Sequence, residues 1–233
     1  ALYVTLGTRY DDFGDFGHAW TGRGSLVLKL GATRLHGSIG NGFRVPDLND
    51  LFWPIDPWMG GGNPDLEPER SVGGDVGVEQ RLGEALILDV TYFENKYRNL
   101  IEWQTTDPSN PWFYQPVNVS KARMKGTETT LAWQPAESLR VDASHTYTDT
   151  EDFDDGSRLA RRPLNKYTLR AAGDVGDRLH ASLSLVSVHG RIETDGDDLE
   201  DYNRWDLAAQ YDLTPNAQVF LRVDNLLDDD YQE

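Results

Sequence analysis

The sequence predicts an all-β protein, an antiparallel up-and-down transmembrane β-barrel wall of about eleven strands. Three observations predict it. Apolar residues recur at every second position, not every third or fourth. Many of the alternating runs are about ten residues long, the length a membrane-crossing strand needs, against about five or six for ordinary strands. The connections between runs alternate short and long, as in membrane barrels with tight turns at one margin and longer loops at the other.

Taken in order, Leu2, Val4 and Leu6 alternate with Tyr3 and Thr5, and Leu26, Leu28 and Leu30 with Val27 and Lys29. Val72, Val76 and Val78 alternate with Gly73, Asp75 and Gly77. Leu86, Leu88, Val90 and Tyr92 alternate with Ile87, Asp89 and Thr91. The later runs centre on Leu139–Tyr147, Tyr167–Val175, Trp205–Leu213 and Val219–Val223. One face is aliphatic; the other carries Asp, Arg, Ser and Thr, too polar for the core of a sandwich. Trp133, Tyr147, Tyr167, Trp205 and Tyr211 fall near run ends, where interfacial girdles of Trp and Tyr belong. Cross-strand packing in a sheet is the alternative for them. Short turns are expected at Leu30–Thr33, Leu82–Ala85, Gln134–Ser138, Val175–Arg178 and Leu213–Ala217. Long loops are expected at Tyr10–Trp20, Arg44–Arg70, Tyr97–Val117, Thr150–Asn165 and Gly190–Asn203.

Composition excludes several classes. A net charge of −17 repels phosphate backbones, so nucleic acid is not an expected partner. The chain has no cysteine, which removes disulfide scaffolds, Cys-ligated zinc and thiol chemistry. No Gly-x-Ser-x-Gly, phosphate-binding loop or His-Glu-x-x-His occurs, and the five histidines have no metal-ligand spacing. No enzyme is expected.

The most irregular stretch runs from Gly42 to Ser71. Phe43-Arg44-Val45-Pro46-Asp47-Leu48 opens it, and Gly62-Asn63-Pro64-Asp65-Leu66-Glu67-Pro68-Glu69-Arg70-Ser71 closes it. Its prolines exclude a central strand or helix interior and predict a long ordered loop. Phe52, Trp53 and Trp58 in this loop, and Trp112, Phe113 and Tyr114 in the next, suit gripping a large planar or partly apolar ligand. Loop-on-loop packing is the alternative. Asp152, Asp154 and Asp155 form one acidic loop; Asp195, Asp197, Asp198, Glu200 and Asp201 form another. Clustered carboxylates suit calcium, though neither run has the EF-hand register. A solvated acidic loop is the alternative. Lys121, Arg123, Lys125, Arg161 and Arg162 are expected toward the outer rim, where they suit lipopolysaccharide phosphates; ordinary rim charge is the alternative.

The paired signatures of the long loop resemble those of the outer-membrane TonB-dependent receptors. Lys121-Ala122-x-x-x-Gly126-x-Glu128, Arg161-Arg162-Pro163 and Asn225-Leu226-x-Asp228-x-x-Tyr231 extend the resemblance in the right order, with a pattern most similar to the vitamin B12 receptor branch. The resemblance implies a barrel of about 22 strands around a plug domain. This stretch, 1–233, then reads as about half of that barrel, its C-terminal portion, without the plug, the TonB box or the final strand. It implies energy-coupled uptake across the outer membrane of a Gram-negative bacterium. A large scarce nutrient would bind at the outer loops, a cobalamin or related corrinoid first and an iron-siderophore or haem complex second. The implied partners are outer-membrane lipid and lipopolysaccharide, the ligand, and the TonB system acting through the plug. An outer-membrane enzyme, a passive channel and a soluble acidic β-sandwich that binds carbohydrate are the competing readings.

Overall fold

The computed structural model describes residues 1–193 and 196–231. Eleven long strands form one antiparallel sheet in which neighbours in sequence are neighbours in space. They are β1 (Leu2–Asp12), β2 (His18–Leu30), β3 (Thr33–Arg44), β4 (Glu69–Leu82), β5 (Leu86–Thr105), β6 (Tyr114–Ala136), β7 (Leu139–Asp152), β8 (Asn165–Val175), β9 (Leu179–His189), β12 (Tyr202–Thr214) and β13 (Ala217–Val223). A two-stranded ribbon, β10 (Arg191–Ile192) with β11 (Asp198–Leu199), stands between β9 and β12. The five reversals β2–β3, β4–β5, β6–β7, β8–β9 and β12–β13 span two or three residues each. All five lie along one margin, and every longer connection lies along the other. This meander is the up-and-down wall that the alternation predicts.

Register shows which side chains share a face. Across β4, β5, β6 and β7, Val78 pairs with Val90, Val90 with Thr129, and Thr129 with His145. Across β7, β8, β9 and β12, Ala143 pairs with Leu169, Leu169 with Leu185, and Leu185 with Trp205. Alternate residues therefore build one aliphatic face, edged by Tyr92, Tyr147, Tyr167 and Trp205 toward the long connections. Trp133 and Tyr211 edge it toward the tight turns.

Among the described residues, nothing covers this face. Leu26, Leu35, Val76, Leu169, Leu183 and Leu221 are all 36–63% exposed. The buried apolar residues lie elsewhere, at the long-loop margin. Leu100, Val119, Ala122 and Leu159 cluster with Tyr97, and Leu51, Leu66 and Ile101 cluster with Phe16. A sandwich would bury the aliphatic rows between two layers. A bare aliphatic sheet face of this size is untenable in water and at home in lipid. The carbohydrate-binding sandwich is overturned by this observation.

The opposite face is polar and cross-linked. Arg34 pairs with Glu79 at 2.8 Å, and His36 Nε2 lies 2.8 Å from Asp89 Oδ2. Ser38 donates to Asp75. The His36–Asp89 contact crosses β4 at Gly77. A Cβ there would sit 2.5 Å from both His36 Cε1 and Thr91 Oγ1, so the strand needs glycine to let the pair meet. The strand alternation thus sorts the chain into a lipid face and a wet face.

Three loop expectations change. Tyr97–Val117 is not a loop throughout, because β5 runs on to Thr105 and β6 begins at Tyr114. The two strands rise past their neighbours as a ribbon. Asn99, at φ 55°, and Pro116 mask this pattern in the sequence. Pro116 is tolerated because β7 pairs with β6 only from Ala122 onward, so β6 is an edge at that height. The Arg44–Arg70 loop contains a five-residue helix, α1 (Leu48–Phe52), which starts one residue after Pro46-Asp47. Asp47 and Asp50 cap it reciprocally, a capping box built with Asp in place of Glu. The Gly190–Asn203 loop holds the β10–β11 ribbon.

Candidate functional site at the long-loop margin

The loop from Val45 to Pro68 is held by its own two signatures. Arg44, the last residue of β3, reaches Asp50 Oδ2 and Glu69 Oε1, both at 3.2 Å. Both carboxylates are nearly buried, and each has a second donor from the β5–β6 ribbon. Ile101 N donates to Glu69 Oε1 at 2.8 Å, and Trp103 Nε1 donates to Asp50 Oδ1 at 3.3 Å. Arg44 therefore ties helix α1, strand β4 and the ribbon to one point.

The Asn-Pro-x-Leu-x-Pro-Glu half is equally engaged. Asn63 Nδ2 donates to the Pro116 carbonyl at 3.1 Å, and its backbone N–H donates to the Asp50 carbonyl at 2.7 Å. Glu67 N donates to Asn118 Oδ1 at 2.8 Å, and Asn118 Nδ2 donates to the Glu67 carbonyl at 2.9 Å. Leu66 is buried beside Leu51 and Ile101. Each non-proline residue of the signature that is not solvent-exposed therefore points at the ribbon.

This anchoring brings the two aromatic sets together. Tyr114 N donates to the Met59 carbonyl and Gly61 N to the Tyr114 carbonyl, both at 3.1 Å. Asn110 Nδ2 donates to the Trp58 carbonyl at 2.9 Å. Gly60, at φ 89°, makes the contact possible; an added Cβ would collide with the Tyr114 carbonyl oxygen. Gly60→Ala is expected to part the loops, read as faster hydrogen exchange at Tyr114 and Gly61.

Phe52, Trp53, Trp58 and Trp112 are exposed, Trp58 at 77% and Trp112 at 74%. Phe113 and Tyr114 are half-buried in the ribbon and support it. Ile55 and Met59, which sequence reasoning passed over, are exposed at 67% and 71% in the same loop. Their signal was present as apolar residues between prolines and glycines, but lacked the aromatic character that drew attention to their neighbours.

Beside this surface, a cleft of about 460 Å³ opens between the ribbon, the β7–β8 connection and the β9–β12 connection. Glu102, Asn118, Asp152, Arg158 and Glu193 line it. Arg162 pairs with Glu102 at 2.9 Å, and Arg161 with Glu193 at 2.6 Å. Burial pushes the Glu102 carboxyl above the usual carboxylate range, outweighing Arg162. The same cause raises Asp152. Arg161 and Arg162 thus each face a loop carboxylate.

Asp152 and Asp155 hold a turn. Asp152 Oδ1 accepts from Asp154 N at 2.8 Å, and Asp155 Oδ1 from Ser157 N at 2.7 Å. Asp197 and Asp198 lie at the β10–β11 ribbon, and Asp195 lies outside the described residues. Among the described residues, no three Asp, Glu or His side chains converge to hold a metal ion.

The family model described as "TonB dependent receptor-like, beta-barrel" matches residues 1–226. The chain belongs to the TonB-dependent receptor β-barrel family. It is 29% identical over 225 residues to the vitamin B12 transporter BtuB of Vibrio vulnificus, covering 96% of this chain and 35% of that protein. It is also 29% identical over 262 residues to the ferric enterobactin receptor PirA of Pseudomonas aeruginosa, covering 97% of this chain and 34% of that protein. Among solved structures, the siderophore receptor PirA from Pseudomonas aeruginosa superposes with a TM-score of 0.70 at 26% identity, over 97% of this chain and 40% of that one. This receptor wall therefore spans about a third of the length of the curated relatives it matches. It is a stretch of outer-membrane barrel, with its aliphatic face toward lipid and its long connections forming the outer rim. The relatives are transport receptors, not enzymes.

Proposed function

We propose that this chain forms the C-terminal part of the barrel of a receptor for energy-coupled uptake. In this reading a plug domain elsewhere in the receptor couples to the TonB system, and the chain supplies rim contacts and a lumen wall. The ligand is a large, partly apolar nutrient, a corrinoid first. The observation that carries this reading is the rigidly anchored surface of Phe52, Trp53, Trp58 and Trp112, with Ile55 and Met59 between them. Exposed aromatics held on an ordered scaffold bind large apolar ligands with little ordering cost.

Rim charge favours a neutral over a polyanionic ligand. Arg44, Arg161 and Arg162 each face a carboxylate. The net charge of −17 adds a repulsive field. The second reading is an iron chelate, supported by the likeness to siderophore receptors. Equilibrium binding to the full-length receptor, measured with a cobalamin and with a ferric catecholate, separates the two. Tight binding of the cobalamin alone is expected; tight binding of the catecholate alone would replace the first reading with the second. Trp58→Ala with Trp112→Ala is expected to weaken ligand binding by about 2 kcal/mol, roughly 30-fold, with an unchanged melting temperature. Unchanged affinity would remove these residues from the site.

A further inference from the structure

Sequence order alone gives no Ser, His and Asp triad, but the fold builds one on the lipid-facing side of β9. Ser187 and His189 follow Leu183 and Leu185 at every second position, so they share the outward face. Ser187 Oγ lies 2.6 Å from His189 Nε2, and His189 Nδ1 lies 2.8 Å from Asp201 Oδ2. Asp201 is fixed in turn, because its Oδ1 accepts from Gly190 N at 2.8 Å. The Gly190 N–H, and after it His189, hold the Asp201 carboxyl below the usual carboxylate range. An ionised carboxylate only accepts, so His189 Nδ1 carries the ring proton. In the neutral ring Nε2 is then the acceptor and the Ser187 hydroxyl the donor. A serine nucleophile needs these two bonds, a base on its hydroxyl and an orienting carboxylate on the base.

The neighbours fit the same chemistry. The Tyr167 ring, opposite Ser187 on β8, stands edge-on to His189 at 5.9 Å and is stacked on His145 at 4.4 Å. His145 Nε2 is itself engaged by Asn165 Oδ1 at 2.9 Å. Asn203 stands opposite Ser187 on β12 and is exposed, which puts an amide side chain beside the hydroxyl, where an oxyanion would form. Ser187 is nearly buried, whereas the His189 ring is 36% exposed. Depth selects the substrate. The row of His145, Tyr167, Ser187 and Asn203 lies one step above that of Ala143, Leu169, Leu185 and Trp205. Tyr and Trp mark the boundary between hydrocarbon and headgroups. The acyl ester bonds of membrane lipids lie at that boundary.

We propose that Ser187, His189 and Asp201 form a second site, one that cleaves acyl esters of membrane lipids. Ser187 Oγ bonds to the ester carbonyl carbon while its proton passes to His189 Nε2. Collapse of the adduct breaks the bond from that carbon to the alkoxy oxygen. His189 returns the proton to the departing alkoxide, which leaves as the hydroxyl of the lysolipid. Water then attacks the acyl-serine by the same route, releasing the fatty acid and restoring Ser187. Asp201 acts through His189 as a positioning residue. The inference rests on the membrane placement of the wall and is independent of the transported ligand.

The test uses the full-length receptor in detergent micelles and a fluorophosphonate, which phosphonylates activated serines. Wild type is expected to be labelled at Ser187, located by peptide mass spectrometry. Ser187→Ala is expected to abolish the label and His189→Gln to slow it about 100-fold. Asp201→Asn is expected to slow it strongly and Asp201→Glu to recover part of the rate, with ligand binding at the rim unchanged throughout. Lowering the pH is expected to slow the labelling of wild type, because a doubly protonated imidazole cannot take the serine proton. Separate liposomes of diacyl phosphatidylethanolamine and of lipid A tell the two ester sources apart, and fatty acid released from either supports the proposal. An unlabelled wild type, a label on another residue, or Asp201→Asn labelled as fast as wild type would overturn it. So would the release of no fatty acid from either lipid.

Discussion

Leu183→Arg is expected to cost about 2–4 kcal/mol of barrel stability and to lower the amount of assembled receptor in the membrane several-fold. Leu183 lies midway along β9, between Ala171 of β8 and Leu207 of β12 on the aliphatic face. An arginine there would be held in hydrocarbon with no carboxylate on its row. Its sequence neighbour provides the control. Ser184 pairs with Arg170 and Asp206 on the polar face. Ser184→Arg is therefore expected to stay within about 1 kcal/mol of wild type, as surface substitutions usually do. Urea unfolding of the full-length receptor in liposomes reads both. Equal costs at the two positions would mean that the faces are not divided as described.

Arg44→Ala is expected to release the Val45–Pro68 loop. The substitution leaves Asp50 and Glu69 nearly buried with only neutral donors, Trp103 Nε1 and Asp47 N on Asp50 and Ile101 N on Glu69. Removing one partner of a buried pair costs about 3–5 kcal/mol. Arg44 is half exposed, so about 2 kcal/mol is expected, lost locally at the loop and not from the barrel ladder. The readout is limited proteolysis between Trp53 and Asn63, with cleavage accelerated roughly 30-fold and the barrel fragment intact. Arg44→Lys is expected to recover only part of the protection, because one ammonium cannot fork to two carboxylates. Ligand affinity should fall with loop protection, since Trp58 and Trp112 are aligned through this anchor.

The fold was legible because the strand period is a physical requirement of the wall. Each strand touches lipid with one face and water with the other, so Leu179, Ala181, Leu183 and Leu185 had to alternate with His180, Ser182, Ser184 and Val186. The tight turns were legible from Gly31, Gly83 and Gly176, all at positive φ. The β5–β6 ribbon was hidden because it leaves the bilayer. Above the membrane neither face is lipid-exposed, so Leu100 and Ile101 can pack in opposite directions and the clean alternation ends.

The site was legible in part. Phe52, Trp53, Trp58 and Trp112 were visible as loop aromatics. That the two loops join through Gly60 and Tyr114 was not visible, because the bonds are between backbone groups. The Arg-x-Pro and Asn-Pro-x-Leu signatures were visible as a pattern, but their reason is long-range. Arg44, Asp50, Asn63 and Glu69 are held together by contacts with residues as far away in sequence as Trp103 and Pro116.

The central claim is that alternate residues of each strand meet lipid and water. The chain contains no cysteine, so a single introduced thiol can carry a spin label at each position of β9 in turn. In the full-length receptor in liposomes, labels at 179, 181, 183 and 185 are expected to collide with oxygen. Labels at 180, 182, 184 and 186 are expected to collide with a water-soluble nickel chelate. A collision profile without that two-residue period, or with its phase reversed, would contradict the account.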